Sequence, residues 1–545
     1  MVLLESGDSA ALILGAYNQL SGAPVYADAM PASTLDSVRI SDLAGDLVHS
    51  SGATARVLAP FTGETLHELP LGTAGDVVDA AAAARVAQRA WRAAGFAHRR
   101  AVLLRAHDLL LERREELMDA LQSETGKTRG QAFEEVFSGA SVTRYYAVSA
   151  RSVLATRRRR SGIPLVVSTR VSYKPKGLVG VITPWNYPLS LSLMDVVPAL
   201  AAGNAVVQKA DNQGALSILA SRRAFIDAGV PEALWPVIAG DGNEIGNAVV
   251  DVADYVCFTG STATGTKVGV RAAERLIGAS LELGGKNPLI VLDDVDPATA
   301  AANAVYSCYS SMGQLCVSIE RVYVLRHVAD SFTRAFVERV RQLKQGGAFD
   351  YSTDVGSLTS AAQLERVSAH VDDAVAKGAM LLTGGKARPD LGPFFYEPTV
   401  LADVTDDMLC AREETFGPVV AIHVVQSEDE AVALANASEY GLNASVFSGS
   451  LAHGRRVAER LDAGSVNINE GYRATFSSVD APMGGMKQSG IGRRNGAEGL
   501  LRFVEPRTVA EATGLLTLPR TGKEFAAIAG ALVSVLVVLK ALRQR

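Results

Sequence analysis

Cysteine is scarce in this chain: four residues in 545, Cys257, Cys308, Cys316 and Cys410, with no C-x-x-C spacing among them. That pattern supports neither a zinc site nor a disulfide framework, so no metal is expected and the thiols are expected to be reduced, in a cytoplasmic setting. Excess charge is missing as well. A formal net charge of −5 leaves no electrostatic footprint for nucleic acid. No positive segment precedes the apolar residues between Met1 and about Ala32, which argues against a secretory leader. There is no internal repeat, no low-complexity linker and no G-x-G-x-x-G turn.

The length exceeds what one hydrophobic core serves and implies two to four domains. A hydrophobic content of 48% with 20% charged residues describes a soluble globular protein. From Asp76 to about Val136 apolar residues recur at three- and four-residue steps, which predicts helices, with Asp76 as a cap. The pattern then changes. Val153-Leu154-Ala155-Thr156, the turn Ser161-Gly162-Ile163-Pro164 and the run Val166 to Tyr173 predict a β-hairpin arm, and the four arginines Arg157 to Arg160 read as a solvated strand end or a subunit contact. Strand-like runs at Gly177–Ile182, Ala205–Gln208 and Tyr255–Phe258 alternate with helical stretches, and a second series runs from Asn287–Leu292 to Ala463–Asn469. The expectation is an α/β fold with two doubly wound parallel sheets that share an interface, and a site between them.

One apolar run stands out at the C-terminal end. Phe525 to Leu539 carries no charge and lies between Lys523-Glu524 and Lys540, Arg543 and Arg545. It is short for a bilayer span of about twenty residues, yet Ala541, Leu542 and a snorkelling Lys540 lengthen it. Weak membrane association through 525–542 and docking on protein are both open at this level.

The chemistry concentrates in a few segments. Cys316 lies in Ser311-Met312-Gly313-Gln314-Leu315-Cys316-Val317, and Glu282-Leu283-Gly284-Gly285-Lys286 comes thirty-four residues earlier. A thiol attacks a carbonyl, and a carboxylate nearby activates water to release the product. Either residue alone is ordinary, since a free cysteine is more often a small buried hydrophobe. For a nucleotide phosphate the best segment is Phe258-Thr259-Gly260-Ser261, a strand ending in glycine and opening a helix. Gly240-Asp241-Gly242-Asn243-Glu244-Ile245-Gly246 is the nearest glycine-rich alternative.

Six blocks occur in a fixed order: Pro184-Trp185-Asn186-Tyr187-Pro188, Ala202-Gly203-Asn204 with Lys209, Phe258 to Ser261, Glu282 to Lys286, Gly313 to Cys316, and Glu413-Glu414-Thr415-Phe416-Gly417-Pro418-Val419. Together they resemble the aldehyde dehydrogenase superfamily over about residues 50 to 512. Asp354 to Leu358, His370 to Asp373 and Ala481 to Met486 are most similar to its actinobacterial NADP-dependent succinate-semialdehyde dehydrogenases. The resemblance implies an N-terminal extension (1–45), a NAD(P)-binding domain (46–150 and 174–284), a catalytic domain (285–486), an oligomerisation arm (151–173 and 487–515) and an apolar tail (516–545). It also implies Cys316 as a thiolate nucleophile, Glu282 as the base and Asn186 as an oxyanion donor. Trp185, Asn186, Lys209, Ala210, Asp211, Asn212, Gly240, Gly260, Ser261, Leu283, Glu414 and Phe416 would hold the dinucleotide. A homodimer or homotetramer is implied too, built through the arm and the strand near Leu500 to Val509. Lys286 remains without a role beside the bland reading of a surface or helix-end charge.

The chain departs from the family in two places. Many NAD-preferring relatives carry a glutamate three residues after the lysine, where this chain has Asn212; the loss of that charge favours NADP over NAD, with Asp211 a mild opposing influence. Succinate-semialdehyde specialists of the better-known type place arginines where this chain has Met194 and Ser310. Arg321 and Arg473 are the remaining candidates for a substrate carboxylate. The leading expectation is therefore succinate semialdehyde. Lipophilic aldehydes handled at a membrane surface come second, with Leu189, Leu191, Leu193 and Met194 lining the pocket, and a non-catalytic scaffold comes third.

Overall fold

The computed structural model describes residues 34–162, 166–514 and 519–543. The Met1 to Ala32 stretch and the Ile163-Pro164 turn considered above lie outside the described residues.

The first sheet has the strand order Gly490–Ile491, Gly278–Glu282, Tyr255–Thr259, Leu178–Thr183, Ala205–Ala210, Val237–Ile238. All are parallel except the edge strand Gly490–Ile491. Leu178–Thr183, Ala205–Ala210 and Tyr255–Thr259 are buried at every position, as a sheet covered on both faces requires. The chain starts at Leu178–Thr183, builds outward to Val237–Ile238, then returns to the other side with Tyr255–Thr259. The order reverses beside Leu178–Thr183, and the crevice at the carboxyl ends there is where such sheets bind ligands.

The second sheet runs Met380–Thr383, Thr399–Ala402, Val419–Val425, Ile319–Leu325, Asn287–Val291, Asn443–Phe447, Ser465–Ile468. Only Met380–Thr383 is antiparallel. The two sheets are joined by a short crossing: Gly278–Glu282 closes the first and Asn287–Val291 opens the second. Residues 283–286 thus run between them, which makes the fold the expected pair of doubly wound sheets with one shared seam.

Several local expectations change. The helix Ala74–Ala93 is capped by Thr73, and Asp76 is the third residue of that capping box, not the cap itself. The Arg100 to Leu121 pattern is two helices, Gly95–Glu112 and Arg114–Thr125. Val153-Leu154 is not strand: the helix Arg129–Val153 ends there, with Leu154 as its C-cap, and Leu154 stays buried on the core. The arm's first strand is only Arg157–Arg159, fully exposed, paired antiparallel with Val167–Pro175. Val504–Ala512 pairs along the other side of Val167–Pro175. Of the residues 487–515 assigned to the arm, Gly490–Ile491 instead extends the first sheet and the helix Gly496–Leu501 precedes the arm strand. From the N-terminal extension, the helix Ser37–Ala44 buries Ile40, Leu43 and Ala44 in the core of the first domain.

Candidate active site

Both sheets deliver their functional residues to the seam. After the strands of the first sheet come, in turn, Trp185-Asn186, Asp211-Asn212, Gly240, Gly260-Ser261 and Leu283, every one at a carboxyl end. From the second sheet, Cys316 and the segment Glu414 to Gly417 precede the strands Ile319–Leu325 and Val419–Val425.

The cysteine loop is a strained turn. The helix Pro297–Tyr309 ends, and Ser311 (φ 48°), Met312 (φ 56°) and Gly313 (φ 69°) follow in left-handed backbone. Burial of the Met312 side chain holds this costly conformation in place. Gly313 is obligatory, because a Cβ there would lie 2.1 Å from the Gly417 carbonyl oxygen. The turn delivers Cys316 to the crossing segment, where Asn287 Nδ2 donates to its carbonyl at 2.8 Å and to that of Ser318 at 2.7 Å. Gly285 admits this contact, since its Cβ would stand 2.6 Å from the Cys316 carbonyl oxygen.

Asn186 docks on the same loop. Its Nδ2 donates to the Gln314 carbonyl at 2.9 Å, which leaves its second N–H for another acceptor. The Asn186 carbonyl in turn accepts from Lys127 Nζ at 2.9 Å. Lys127 forms a buried ion pair with Glu135 and lies 3.8 Å over the Tyr187 ring. Glu135 accepts the Leu189 and Ser190 N–H groups at 2.8 and 3.1 Å, the first amides of the helix Pro188–Ala202. This clamp was not legible beforehand: Glu135 falls within a helical pattern that gave no reason to single it out.

Glu282 is the last residue of its strand, is buried, and has no hydrogen-bond partner at Oε1. Burial pushes its carboxyl up to about 7, and the guanidiniums of Arg494, Arg502 and Arg493 keep it from rising further, against an opposing push from Asp195. Arg494 grips Asp195 in a two-toothed pair at 2.9 and 2.6 Å, Arg502 adds a bond at 2.6 Å, and Arg494 also donates to Thr259 beside Glu282. These three groups carried no sequence motif. Glu414 accepts the Gly285 N–H at 2.8 Å. Burial and then the nearby Glu320 carboxylate push Glu414 up to about 7.

The thiol departs from expectation. Burial, with the carboxylates of Glu414 and Glu282, pushes Cys316 up to about 12. The expected thiolate is therefore corrected to a protonated thiol at neutral pH in the cofactor-free chain, because burial and then the two acids outweigh the pull of the Arg494 guanidinium. Cys316 is nonetheless partly exposed, unlike Cys257, Cys308 and Cys410, which are buried. Lys286 is also corrected: it is buried and paired with Glu320, whose other bonds accept the N–H groups of Thr415 (2.9 Å) and Phe416 (3.0 Å). It braces the Glu414–Phe416 turn and is no surface charge.

The crevice fits a dinucleotide. Lys209 is only 7% exposed at a strand's carboxyl end and makes no ion pair among the described residues. Asn212 commits its oxygen to the Gly240 N–H at 3.0 Å, so its remaining hydrogen-bonding groups are donors. Asp211 turns its carboxylate onto the Gln213 N–H at 3.0 Å, capping the next turn. Ala210, the last residue of its strand, is fully buried. Ser261 caps the helix Thr262–Glu274, and Gly265 lets Leu283 pack at the start of that helix, where a Cβ would meet Leu283 at 2.3 Å. Trp185 and Phe416 meet edge to face with centroids 5.7 Å apart. An ammonium without an ion pair on a largely buried side chain, an amide with its donors left over and a helix N-terminus together suit an anionic, hydroxyl-rich ligand.

The arginines proposed for a substrate carboxylate are otherwise engaged. Arg321 is buried and donates to the Lys286, Leu434 and Ala435 carbonyls and to Tyr323. Arg473 pairs with Glu470 at 2.8 Å and stacks 3.9 Å over Tyr306. Met194 is fully buried, and the Ser310 hydroxyl is bonded to the Tyr306 carbonyl at 2.7 Å.

A thiol, a carboxylate with a partner-free oxygen and a docked amide beside a crevice suited to a dinucleotide are the arrangement of a dinucleotide-dependent oxidoreductase. The comparisons make the class specific. The aldehyde dehydrogenase family pattern matches residues 47–509, and the chain belongs to that family. It is 49% identical over 494 residues to a Mycolicibacterium smegmatis protein provisionally named succinate-semialdehyde dehydrogenase [NADP(+)], covering 90% of this chain and 96% of that one. The mitochondrial succinate-semialdehyde dehydrogenase of Oryza sativa is 37% identical over 83% of this chain and 85% of its own. Among solved structures, a Staphylococcus aureus betaine aldehyde dehydrogenase in complex with NAD+ superposes with a TM-score of 0.82 at 33% identity, over 86% of this chain and 95% of that one. An Escherichia coli NADP-dependent enzyme gives 0.82 at 32% identity, over 86% and 96%. The protein is thus an enzyme that oxidises aldehydes.

Proposed function

We propose that the enzyme oxidises succinate semialdehyde to succinate with NADP. The single observation behind the chemistry is Glu282: a buried carboxylate with a partner-free oxygen, poised near neutrality and close enough to Cys316 for its charge to be felt at the sulfur. Glu282 takes the Cys316 proton as sulfur adds to the aldehyde carbon. The free N–H of Asn186 and the Cys316 backbone N–H hold the alkoxide, each donor contributing roughly 3 kcal/mol in comparable sites. When bound, the nicotinamide dinucleotide supplies the hydride acceptor. Collapse of the alkoxide expels the hydride to that acceptor and leaves a thioester on Cys316. Glu282 gives its proton to solvent and, a carboxylate again, deprotonates the water that cleaves the thioester, the departing Cys316 sulfur taking up a proton. Without a carboxylate at this position the acyl group would await another acceptor; with one, the product is the free acid.

Lys209 and the remaining donors of Asn212 support NADP, because both suit a 2′-phosphate that a glutamate there would repel. Glu414 and Phe416, backed by Lys286 and Glu320, are assigned to the nicotinamide end, and Gly240, Gly260 and Ser261 to the adenine and pyrophosphate end. The names carried by the two succinate-semialdehyde relatives support the substrate. A second reading, lipophilic aldehydes, is favoured by the locked Arg321, whereas Leu189, Leu191, Leu193 and Met194 pack in the core of the first domain. Initial rates with succinate semialdehyde and with decanal, under each cofactor, separate the two. A higher kcat/KM for decanal would reverse the assignment. Assembly into a homo-oligomer through the Val167–Pro175 and Val504–Ala512 strands completes the reading.

A further inference from the structure

The helix Gly522–Arg543 touches nothing that would bury it. Its large apolar residues stand open, Leu532 at 64% and Val537 at 61% exposure, and no residue of the helix is buried. Exposure on one face would suit a protein partner. Here Val535-Leu536-Val537-Val538-Leu539 fills more than a full turn, so every face is apolar. An all-apolar helix matches a solvent that is apolar on all sides, whereas docking on protein selects a stripe.

The polar groups agree. Ser534 donates its hydroxyl to the Gly530 carbonyl at 3.0 Å, so it is satisfied inside the helix, as a hydrocarbon medium demands. Phe525 to Leu542 is eighteen residues, or about 27 Å of helix, close to the ~30 Å hydrocarbon thickness of a bilayer. Arg520 and Lys523 flank one end; Lys540 and Arg543 flank the other, with Lys540 long enough to snorkel. The segment lies beyond the family match, which ends at residue 509, and follows the arm strand Val504–Ala512 in the chain.

We infer that Gly522–Arg543 inserts into a lipid bilayer and anchors the enzyme there, its basic ends in the headgroup layers. The inference holds for either aldehyde. The test is flotation of the full chain with phosphatidylcholine vesicles on a density gradient, at low salt and at 1 M NaCl, beside a version ending at residue 519 and the Leu532→Lys, Val535→Lys double variant. The full chain rises with the vesicles at both salt concentrations, and both altered proteins stay at the bottom with unchanged aldehyde oxidation. A full chain that stays at the bottom overturns the anchor. So does flotation that 1 M NaCl abolishes, which would mark surface adsorption. A truncation that lowers the oligomer mass by light scattering while the full chain ignores vesicles would instead assign the helix to a second copy of the chain.

Discussion

Replacing Glu282 by glutamine removes the ionisation of a carboxyl that the fold holds at about 7 against an ordinary 4.5. At 1.36 kcal/mol per pH unit that rise corresponds to roughly 3 kcal/mol. The direction matters: a carboxylate raised in the folded state destabilises it when ionised. The cost is absent below the unfolded value of 4.5, grows between 4.5 and 7, and is complete above 7. Glutamine carries no such cost at any pH, and its own burial penalty does not change with pH. The Glu282→Gln protein therefore gains about 2–3 kcal/mol on the native protein between pH 5 and pH 8, read as a widening gap in melting temperature across that window. Over the same range native turnover falls tenfold per unit below about pH 7, as the base becomes protonated. The variant loses on the order of 100-fold or more in turnover, in the range for general-base removal, and accumulates an acyl adduct visible by intact-protein mass spectrometry. A stability gap that stays constant with pH, or rapid acid release by the variant, would refute the account of Glu282.

Three further outcomes follow from the site. Alkylation of Cys316 by iodoacetamide in the cofactor-free enzyme climbs about tenfold per unit from pH 7 to 9, because the thiol lies at about 12; a plateau near neutrality would contradict that, and Cys316→Ala abolishes both alkylation at this residue and oxidation while sparing cofactor affinity. Asn212→Glu moves the NADP/NAD ratio of kcat/KM toward NAD by tenfold or more, about 1.4 kcal/mol, and an unchanged ratio would place the 2′ pocket elsewhere. Lys127→Met strands Glu135 as a buried unpaired carboxylate and costs about 3–5 kcal/mol of stability, measured by thermal melting; a change below 1 kcal/mol would show that the pair does not brace Asn186.

Sequence reasoning worked where the determinants were local. Strands such as Leu178–Thr183 and the Gly260-Ser261 turn into its helix depend on neighbours along the chain, so periodicity and turn chemistry reveal them, while the ordered blocks around Asn186, Glu282 and Cys316 stood out through their resemblance to a family. Local patterns failed at Val153-Leu154, where an apolar pair served equally well as the end of a helix resting on the core. They also failed at Lys286, whose flanking residues gave no sign of burial.

What the chain alone determined, then, was the two-sheet architecture, because hydrophobic periodicity and turn chemistry act over a few residues; it also named the candidates for the reacting groups, through the family resemblance. The tertiary structure decided their protonation and their company. Glu282 owes its poise near neutrality to burial, tempered by Arg494 and Arg502 and opposed by Asp195, which the fold gathers from distant parts of the chain. Cys316 owes its protonated state to burial first and then to two acids from separate segments. Arg321 lost its claim on substrate to three backbone carbonyls. Burial and electric field sum over everything nearby in space, and that neighbourhood exists only once the chain has folded.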